Sequence, residues 1–180
     1  MKLASYNCRG FGRRIKEEAL KDLIRMSNPK ILLIQETKME QQDFLQESKA
    51  FWRKGQGIAI SARGASGGLG TFWDTSKYDL ISSEACMHWV FTSLLHKEMG
   101  RLVSLFNLYV PVLFSEKRNC WDLVKAFLNS NKMENIIIRG YINVTLVVQE
   151  KKGGSIVRDP TREWVEDITL DWYMEDIKPF

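Results

Sequence analysis

One carboxylate in the sequence lies where ligands commonly bind in α/β proteins. The apolar run Ile31–Ile34 is followed at once by the polar residues Gln35–Lys38, which include Glu36. Open α/β sheets place their ligands just past the carboxyl ends of buried strands, and a carboxylate there is a suitable hard-oxygen ligand for Mg²⁺. The simpler alternative is a solvated loop glutamate, since most glutamates are exposed. The position of Glu36 favours the metal role.

The residues around this carboxylate predict a strand, a helix and a second strand. Residues 1–6 are typical of a short strand, and Arg9–Gly12 of a loop. A helix is predicted over Ile15–Met26, with an apolar face formed by Ile15, Ala19, Leu23 and Met26. Proline disfavours helical geometry in the residue before it, so this helix is predicted to end at Ser27–Pro29. The apolar run that follows is typical of a strand buried on both faces.

The rest of the chain predicts mixed sheets with further helices. Residues 57–109 are typical of short, largely antiparallel strands broken by glycines and charged turns. A helix is predicted after Pro111 with Ser115 as its cap, and Ile136–Ile138 predicts another buried strand. A last helix is predicted to start at Asp159–Pro160, with the aspartate as N-cap. Together these elements predict an α/β fold of mixed β-sheets packed face to face with flanking helices.

The composition excludes several classes of protein. The 180 residues are 44% hydrophobic and carry a net charge of +4, which suits a folded domain with a polyanionic partner without demanding one. Cys8, Cys86 and Cys120 form no Cys-x-x-Cys pair, so neither a disulfide framework nor a zinc site is indicated. The first residues carry no apolar signal core. We expect a nuclear or cytoplasmic protein that is not secreted, binds no membrane and has no defined protein partner.

Three motifs in one order resemble the endonuclease/exonuclease/phosphatase superfamily: Ser5–Gly10, Gln35–Lys38 and Asn107–Pro111. More narrowly, Asn7–Gly10 and residues 151–160 are similar to the endonuclease domains of plant LINE-type retrotransposons. The resemblance implies a single domain over residues 1–180, built as a four-layer α/β sandwich that lacks its C-terminal strands. It also implies descent from a hydrolase that nicks DNA with Mg²⁺, or with Mn²⁺ in its place.

The resemblance assigns roles to four residues. Glu36 would bind the metal, and Asn7 would orient Glu36, the metal or a phosphate oxygen through its amide. Tyr109 would place a phenol against the scissile phosphate, where a hydrogen bond to developing charge helps catalysis. Asn143 would contact the phosphate. Without the resemblance, Asn7 is explained equally well as a turn-forming asparagine, and Tyr109 as a strand residue at the rim of the core.

Two departures from the family pattern predict a damaged enzyme. Where the family has Gly-Asp-Phe-Asn, Tyr141 replaces the aspartate that serves as base or water orienter, and a phenol is a poor base at neutral pH. The chain also lacks the family's terminal Asp-His pair, while His88 and His96 are best explained as ordinary surface or strand residues. We expect a crippled or silent hydrolase with weakened or lost Mg²⁺ binding. The alternative is a relic that binds nucleic acid weakly.

Overall fold

The computed structural model describes residues 1–12, 14–64, 66–131, 133, 135–144 and 160–176. In chain order these residues form β1 (Leu3–Asn7), α1 (Arg14–Ser27), β2 (Ile31–Gln35), α2 (Gln41–Ser48), β3 (Gly55–Arg63), β4 (Ser66–Asp74), β5 (Tyr78–Ala85), β6 (Trp89–His96), β7 (Arg101–Tyr109), α3 (Phe114–Ser130), β8 (Ile136–Tyr141) and α4 (Arg162–Asp171). Strands and helices therefore lie close to where the apolar patterns predict them, with α2 as an addition.

The strands form two mixed sheets. The first sheet has the order β1-β2-β4-β3 and the second has the order β5-β6-β7-β8. Strands β1 and β2 pair in parallel, as do β7 and β8, and the other neighbours are antiparallel. Because parallel strands end at the same edge, the last residues of β1 and β2 lie together, and so do those of β7 and β8.

Strand β2 lies at the centre of the core and is buried along its whole length. Ile31 and Leu33 pack between the two sheets, in a cluster with Trp73, Tyr78, Leu94 and Leu105. The alternate residues Leu32 and Ile34 pack on the opposite face, against α1, α2 and an aromatic group formed by Phe44, Phe51 and Phe72. Side chains alternate between the faces of a strand, so the unbroken apolar run supplies both layers. The predicted burial of this strand on two faces is confirmed.

Helix α1 buries a different face from the predicted one. Leu20 and Ile24 are buried, whereas Ile15 and Met26 are 80% and 83% exposed. Leu20, Leu23 and Ile24 stand at helical spacing and form a continuous branched aliphatic row. Leu23 belongs to both stripes, but Ala19 of the predicted stripe is exposed, so the sheet is covered by the Leu20 side of the helix. The prediction of Ile15 and Met26 as core residues is therefore wrong.

Three details of the helices also differ from the sequence predictions. Helix α2 is mostly polar, and it is held by the buried side chain of Phe44 rather than by a periodic apolar face. Helix α3 begins at Phe114, so Ser115 is its second residue and not its cap. Helix α4 begins at Arg162, so Pro160 is not its first residue, and Asp159 lies outside the described residues.

The chain divides into two compact units. The first, Met1–Tyr109 with Met133–Ile142, contains both sheets with α1 and α2, and the second, Val110–Lys132 with Asn143–Phe180, contains α3 and α4. In the second unit the rings of Phe114 and Trp164 lie 5.6 Å apart. The predicted fold class, two mixed sheets packed face to face with flanking helices, is confirmed. A single domain over residues 1–180 stays a prediction.

No helix in the described ranges has both the length and the hydropathy needed to cross a bilayer.

Candidate active site

The parallel pairing of β1 with β2 brings together the first two predicted site residues. Asn7 lies opposite Gln35 in the register, so Glu36 follows directly beside it. The Asn7 Nδ2 atom donates a hydrogen bond of 2.8 Å to Glu36 Oε1. The Asn7 Oδ1 atom accepts a hydrogen bond of 3.0 Å from the backbone N–H of Arg9. The same asparagine therefore forms a local turn and orients the carboxylate, and the two explanations of Asn7 are compatible.

The backbone around Glu36 is held in an uncommon conformation. Glu36 and Lys38 have φ angles of 54° and 56°, a region that residues other than glycine seldom adopt. From one side, the N–H of Gly10 donates to the Glu36 carbonyl at 2.6 Å; from the other, the N–H of Thr37 donates to the Gly68 carbonyl at 3.1 Å. Such strain persists where surrounding contacts over-determine the geometry. The structure thus presents Glu36 at a fixed point beyond the strand end.

Cys8 is part of the same scaffold. Its thiol is 2% exposed and lies 3.1 Å from the carbonyl oxygens of both Gln35 and Glu36. Burial raises the pKa of the Cys8 thiol to about 11. The thiol is therefore neutral at physiological pH and acts as a weak donor that fixes two carbonyls, which is a structural role.

The second sheet ends in a pair of tyrosines. Tyr109 and Tyr141 are partners in the parallel register of β7 and β8, and their rings stack with centroids 6.1 Å apart and an interplanar angle of 18°. Both side chains are half-buried. Gly140 allows this close pairing, since a Cβ there would lie 1.9 Å from the Leu108 carbonyl oxygen. The position expected to hold an aspartate therefore holds an aromatic ring packed on the candidate phenol.

Asn143 belongs to the second compact unit and contacts backbone atoms there. Its Nδ2 donates to the Val110 carbonyl at 2.9 Å, and its own carbonyl accepts a hydrogen bond of 2.6 Å from Lys117 Nζ. Its φ angle is 50°, a left-handed conformation that asparagine tolerates better than most residues. Within its unit Asn143 therefore shapes the chain, and its role at a phosphate stays a prediction.

Positive charge surrounds the loop beside Glu36. Lys16 Nζ donates to the Arg9 carbonyl at 2.6 Å, and the side chain of Lys38 passes within 3.3 Å of the Cβ position of Gly10. Lys38 is exposed. Charges of one sign next to a site raise the local concentration of an oppositely charged ligand. The edge around Glu36 is thus suited to an anion.

The donor set near Glu36 suits a hydrated metal ion. Among the described residues, no group of three or more His, Cys, Asp or Glu side chains could hold a metal ion. Protein Mg²⁺ sites commonly use one or two carboxylates and complete their octahedra with waters and substrate phosphates. One oriented carboxylate with an amide beside it fits such a partly hydrated Mg²⁺ or Mn²⁺. It does not fit an ion enclosed by protein ligands alone.

Sequence reasoning missed two further polar residues at this edge. Gln35 and Asn107 are 1% and 0% exposed, and the Gln35 Nε2 atom donates to Asn107 Oδ1 at 2.7 Å across the two sheets. Both lie inside the motifs that carry the family resemblance, so the signal was present as polar residues at inward-facing positions. His88 is also buried rather than at the surface, and its carbonyl accepts a hydrogen bond from the N–H of Tyr109 at 2.8 Å.

No protein-family model matches the sequence, and no curated protein matches it. Solved structures do match. The catalytic domain of Xenopus laevis APE2 superposes with a TM-score of 0.68 at 19% identity, over 93% of this chain and 67% of that one. An endonuclease/exonuclease/phosphatase from Bacteroides vulgatus gives 0.71 at 15% identity, over 96% and 72%. The 3′ phosphatase NExo from Neisseria, bound to a product DNA hairpin, gives 0.71 at 13% identity, over 95% and 70%.

This chain spans 66% of the length of another similar structure, the mannosyl-6-phosphatase Bt3783 of Bacteroides thetaiotaomicron. At identities this low the likeness concerns the fold alone, and it joins proteins that act on different phosphate esters. The two mixed sheets with their flanking helices therefore have the fold of the endonuclease/exonuclease/phosphatase proteins.

Proposed function

We propose that this chain derives from a Mg²⁺-dependent phosphodiester hydrolase that nicks DNA, of the plant LINE retrotransposon type, and that hydrolysis is strongly reduced in this copy. The observation that carries the proposal is the 2.8 Å contact between Asn7 and Glu36 at the ends of two parallel strands. The DNA hairpin bound to NExo and the net charge of +4 favour nucleic acid as the substrate class. The retrotransposon assignment rests on motifs, and of one of them, residues 151–160, only Pro160 lies within the described residues.

The three predicted site residues of the first unit each have a defined part in this proposal. Glu36 holds the metal, which when bound neutralises phosphate charge and stabilises the leaving oxygen. Asn7 fixes the orientation of the Glu36 carboxylate through its amide. Tyr109 donates a phenolic hydrogen bond to the phosphate, where charge develops. The assignment of Asn143 to the phosphate rests on its motif alone.

Tyr141 is one of the two departures that account for the proposed loss of hydrolysis. A phenol accepts a proton from water far less readily at neutral pH than a carboxylate does. The ring also stacks on Tyr109, so the space that a carboxylate and its water would use is filled. General-base catalysis commonly contributes about 10²–10⁴-fold. We expect Tyr141→Asp to restore a large part of that factor.

A second candidate function is nucleic-acid binding without catalysis. The positive side chains of Lys16 and Lys38 beside the Glu36 loop favour it. Binding of this kind is governed by phosphate contacts and weakens steeply with salt. It requires no base at position 141.

Nicking of supercoiled plasmid distinguishes the two functions. The purified chain is assayed with Mg²⁺ and with chelator, alongside Tyr141→Asp, Glu36→Ala and the combined variant. Glu40→Ala is a matched control, because this glutamate is exposed and makes no side-chain cap bond. We expect weak or absent nicking by the parent, a gain of about 10²–10⁴-fold in Tyr141→Asp, and loss of that gain when Glu36→Ala is added.

Nicking that survives Glu36→Ala in the Tyr141→Asp chain would refute the assigned role of Glu36. If every folded variant is silent but retains salt-sensitive DNA binding that falls on Lys16→Ala, the binding function replaces the hydrolase.

A further inference from the structure

The two sheets are joined by a buried amide bridge at the edge that carries the candidate site. Gln35 is the last residue of β2 and Asn107 lies two residues before the end of β7. Their side chains meet between the sheets, with Gln35 Nε2 donating to Asn107 Oδ1 at 2.7 Å. The two residues are separated by 72 positions along the chain. The bridge therefore connects the strand that leads to Glu36 with the strand that leads to Tyr109.

Both polar atoms of the Asn107 side chain have hydrogen-bond partners. Its Nδ2 lies 2.9 Å from the Gly70 carbonyl, 3.2 Å from the Ile34 carbonyl and 3.3 Å from Thr71 Oγ1. An amide has two N–H donors and a carbonyl acceptor, so three oxygens around Nδ2 and one donor at Oδ1 leave no group unsatisfied. On the other side, Gln35 Nε2 also lies 3.2 Å from Ser5 Oγ. The network thus ties β1, β2 and β4 to β7.

The polar character of this bridge is not required for burial. The adjoining space between the sheets is filled by apolar side chains, including Leu33 and Leu105 on the same faces of β2 and β7. Replacing both partners of a buried hydrogen bond by apolar groups of similar shape is often nearly neutral for stability. Two leucines would fill the space and remove both partners of the bridge, but they would also leave the Gly70 and Ile34 carbonyls and Thr71 Oγ1 without the Asn107 donor. An amide pair adds a directional contact, because a satisfied buried hydrogen-bond network specifies one arrangement of the two strands.

We propose that Gln35 and Asn107 are positioning residues that set the Glu36 carboxylate relative to the Tyr109 phenol. The inference rests on the proposed function of Glu36 as a metal ligand. Gln35 precedes a residue held in a left-handed conformation, so a shift of its side chain turns the backbone that presents Glu36. Asn107 lies on the same face of β7 as Tyr109, because alternate residues of a strand share a face. Loss of the bridge frees each strand end to move independently.

The test uses Gln35→Leu, Asn107→Leu and the double variant in the full chain. Each single variant leaves one buried amide without its partner, so both are expected to unfold at lower denaturant concentration. The double variant is expected to recover the part of that loss that comes from an unpaired bridge amide, while the Gly70 and Ile34 carbonyls still lack the Asn107 donor. Mn²⁺ affinity, read by electron paramagnetic resonance, is expected to fall about tenfold or more in all three variants, the recovered double included. A purely structural role predicts that affinity recovers with stability.

Two further measurements make the test independent of catalysis. Leu94→Val is the matched control, since Leu94 lies in the same inter-sheet cluster without a polar contact; it is expected to lower stability and to leave Mn²⁺ affinity unchanged. Hydrogen exchange of the Gly10 N–H, which donates to the Glu36 carbonyl, reports the loop directly. We expect this exchange to be faster in the double variant than in the parent at equal overall stability.

The outcomes separate the two proposals. Parent-like Mn²⁺ affinity and Gly10 exchange in the double variant would overturn the positioning role, whatever the enzyme does. If the parent shows no Mn²⁺ binding that depends on Glu36, the role of Glu36 as a metal ligand in this chain fails, and Gly10 exchange alone then decides whether the bridge positions the loop. In the Tyr141→Asp chain, a fall in kcat of about 10²-fold at unchanged KM on adding the double substitution supports positioning.

Discussion

The glycine at position 68 offers a sharp test of how the Glu36 loop is held. Gly68 has a φ angle of 80°, and a Cβ there would lie 2.1 Å from Thr37 Oγ1 and 3.2 Å from the Lys38 nitrogen. Thr37 is 0% exposed, and as a β-branched residue it has few alternative rotamers. The side chain cannot simply turn away. Gly68→Ala must therefore move the loop that presents Glu36.

The expected cost of Gly68→Ala has two parts. A left-handed conformation costs a residue with a Cβ about 1–2 kcal/mol, and overpacking a tight site costs about 1–3 kcal/mol more. We expect a loss of about 2–5 kcal/mol in the free energy of unfolding. Gly64→Ala is the matched control, because Gly64 has a φ of 60° but nothing within 4 Å of its Cβ position. It should show the conformational cost alone, about 1–2 kcal/mol.

Guanidinium denaturation, followed by fluorescence, measures both variants against the parent. Mn²⁺ titration of the folded proteins then reports the loop, and we expect affinity to fall in Gly68→Ala and to stay constant in Gly64→Ala. Equal losses of stability in the two variants would show that the loop yields without cost. The argument that contacts from β4 hold Glu36 in place would then be wrong.

Two further predictions concern buried charges. Burial alone would raise the pKa of Asp74, but hydrogen bonds from Ser76 and Lys30 outweigh it and lower that pKa. The ionised Asp74 therefore stabilises the folded protein above the ordinary aspartate pKa, and this stabilisation is lost as pH falls through the folded pKa. Urea midpoints should show Asp74→Asn about 1–3 kcal/mol less stable than the parent near pH 7, with the gap closing as pH falls through the folded pKa of Asp74. Lys117→Met should lower the free energy of unfolding by about 1–3 kcal/mol, because it removes the donor to the Asn143 carbonyl. Thermal melting measures this loss, and Arg118→Met, a control exposed on the same helix, should change the free energy by less than about 0.5 kcal/mol.

The sequence predicts the strands well because the apolar pattern that indicates a strand lies within the strand itself. Residues Ile31–Ile34 must be buried on two faces whatever surrounds them, and the structure buries them so. The face of α1 was not recoverable in the same way, because Leu20 and Ile15 both lie on apolar stripes and only the partner surface selects between them. Helix α2 depends on one aromatic side chain, Phe44, whose partners come from three other segments of the chain.

The candidate site was predictable as a set of residues and not as an arrangement. The pairing of Asn7 with Glu36 follows from two strands that were both expected, once their parallel register is known. The stacking of Tyr141 on Tyr109 depends on the register of β7 and β8, which no local pattern specifies. The Gln35–Asn107 bridge could not be predicted for a different reason, because a lone polar residue near a strand end resembles the start of a loop.

The long separation of the bridge partners also determines when the site forms during folding. The Asn7–Glu36 contact joins residues 29 positions apart, whereas the Gln35–Asn107 contact joins residues 72 positions apart. Forming the longer loop costs more chain entropy before its contact is made. An intermediate with only β1 docked on β2 would hold the carboxylate beside its asparagine while Gln35 still faced water. Only the docking of one sheet on the other completes the network, so we expect the geometry around Glu36 to become native late in folding.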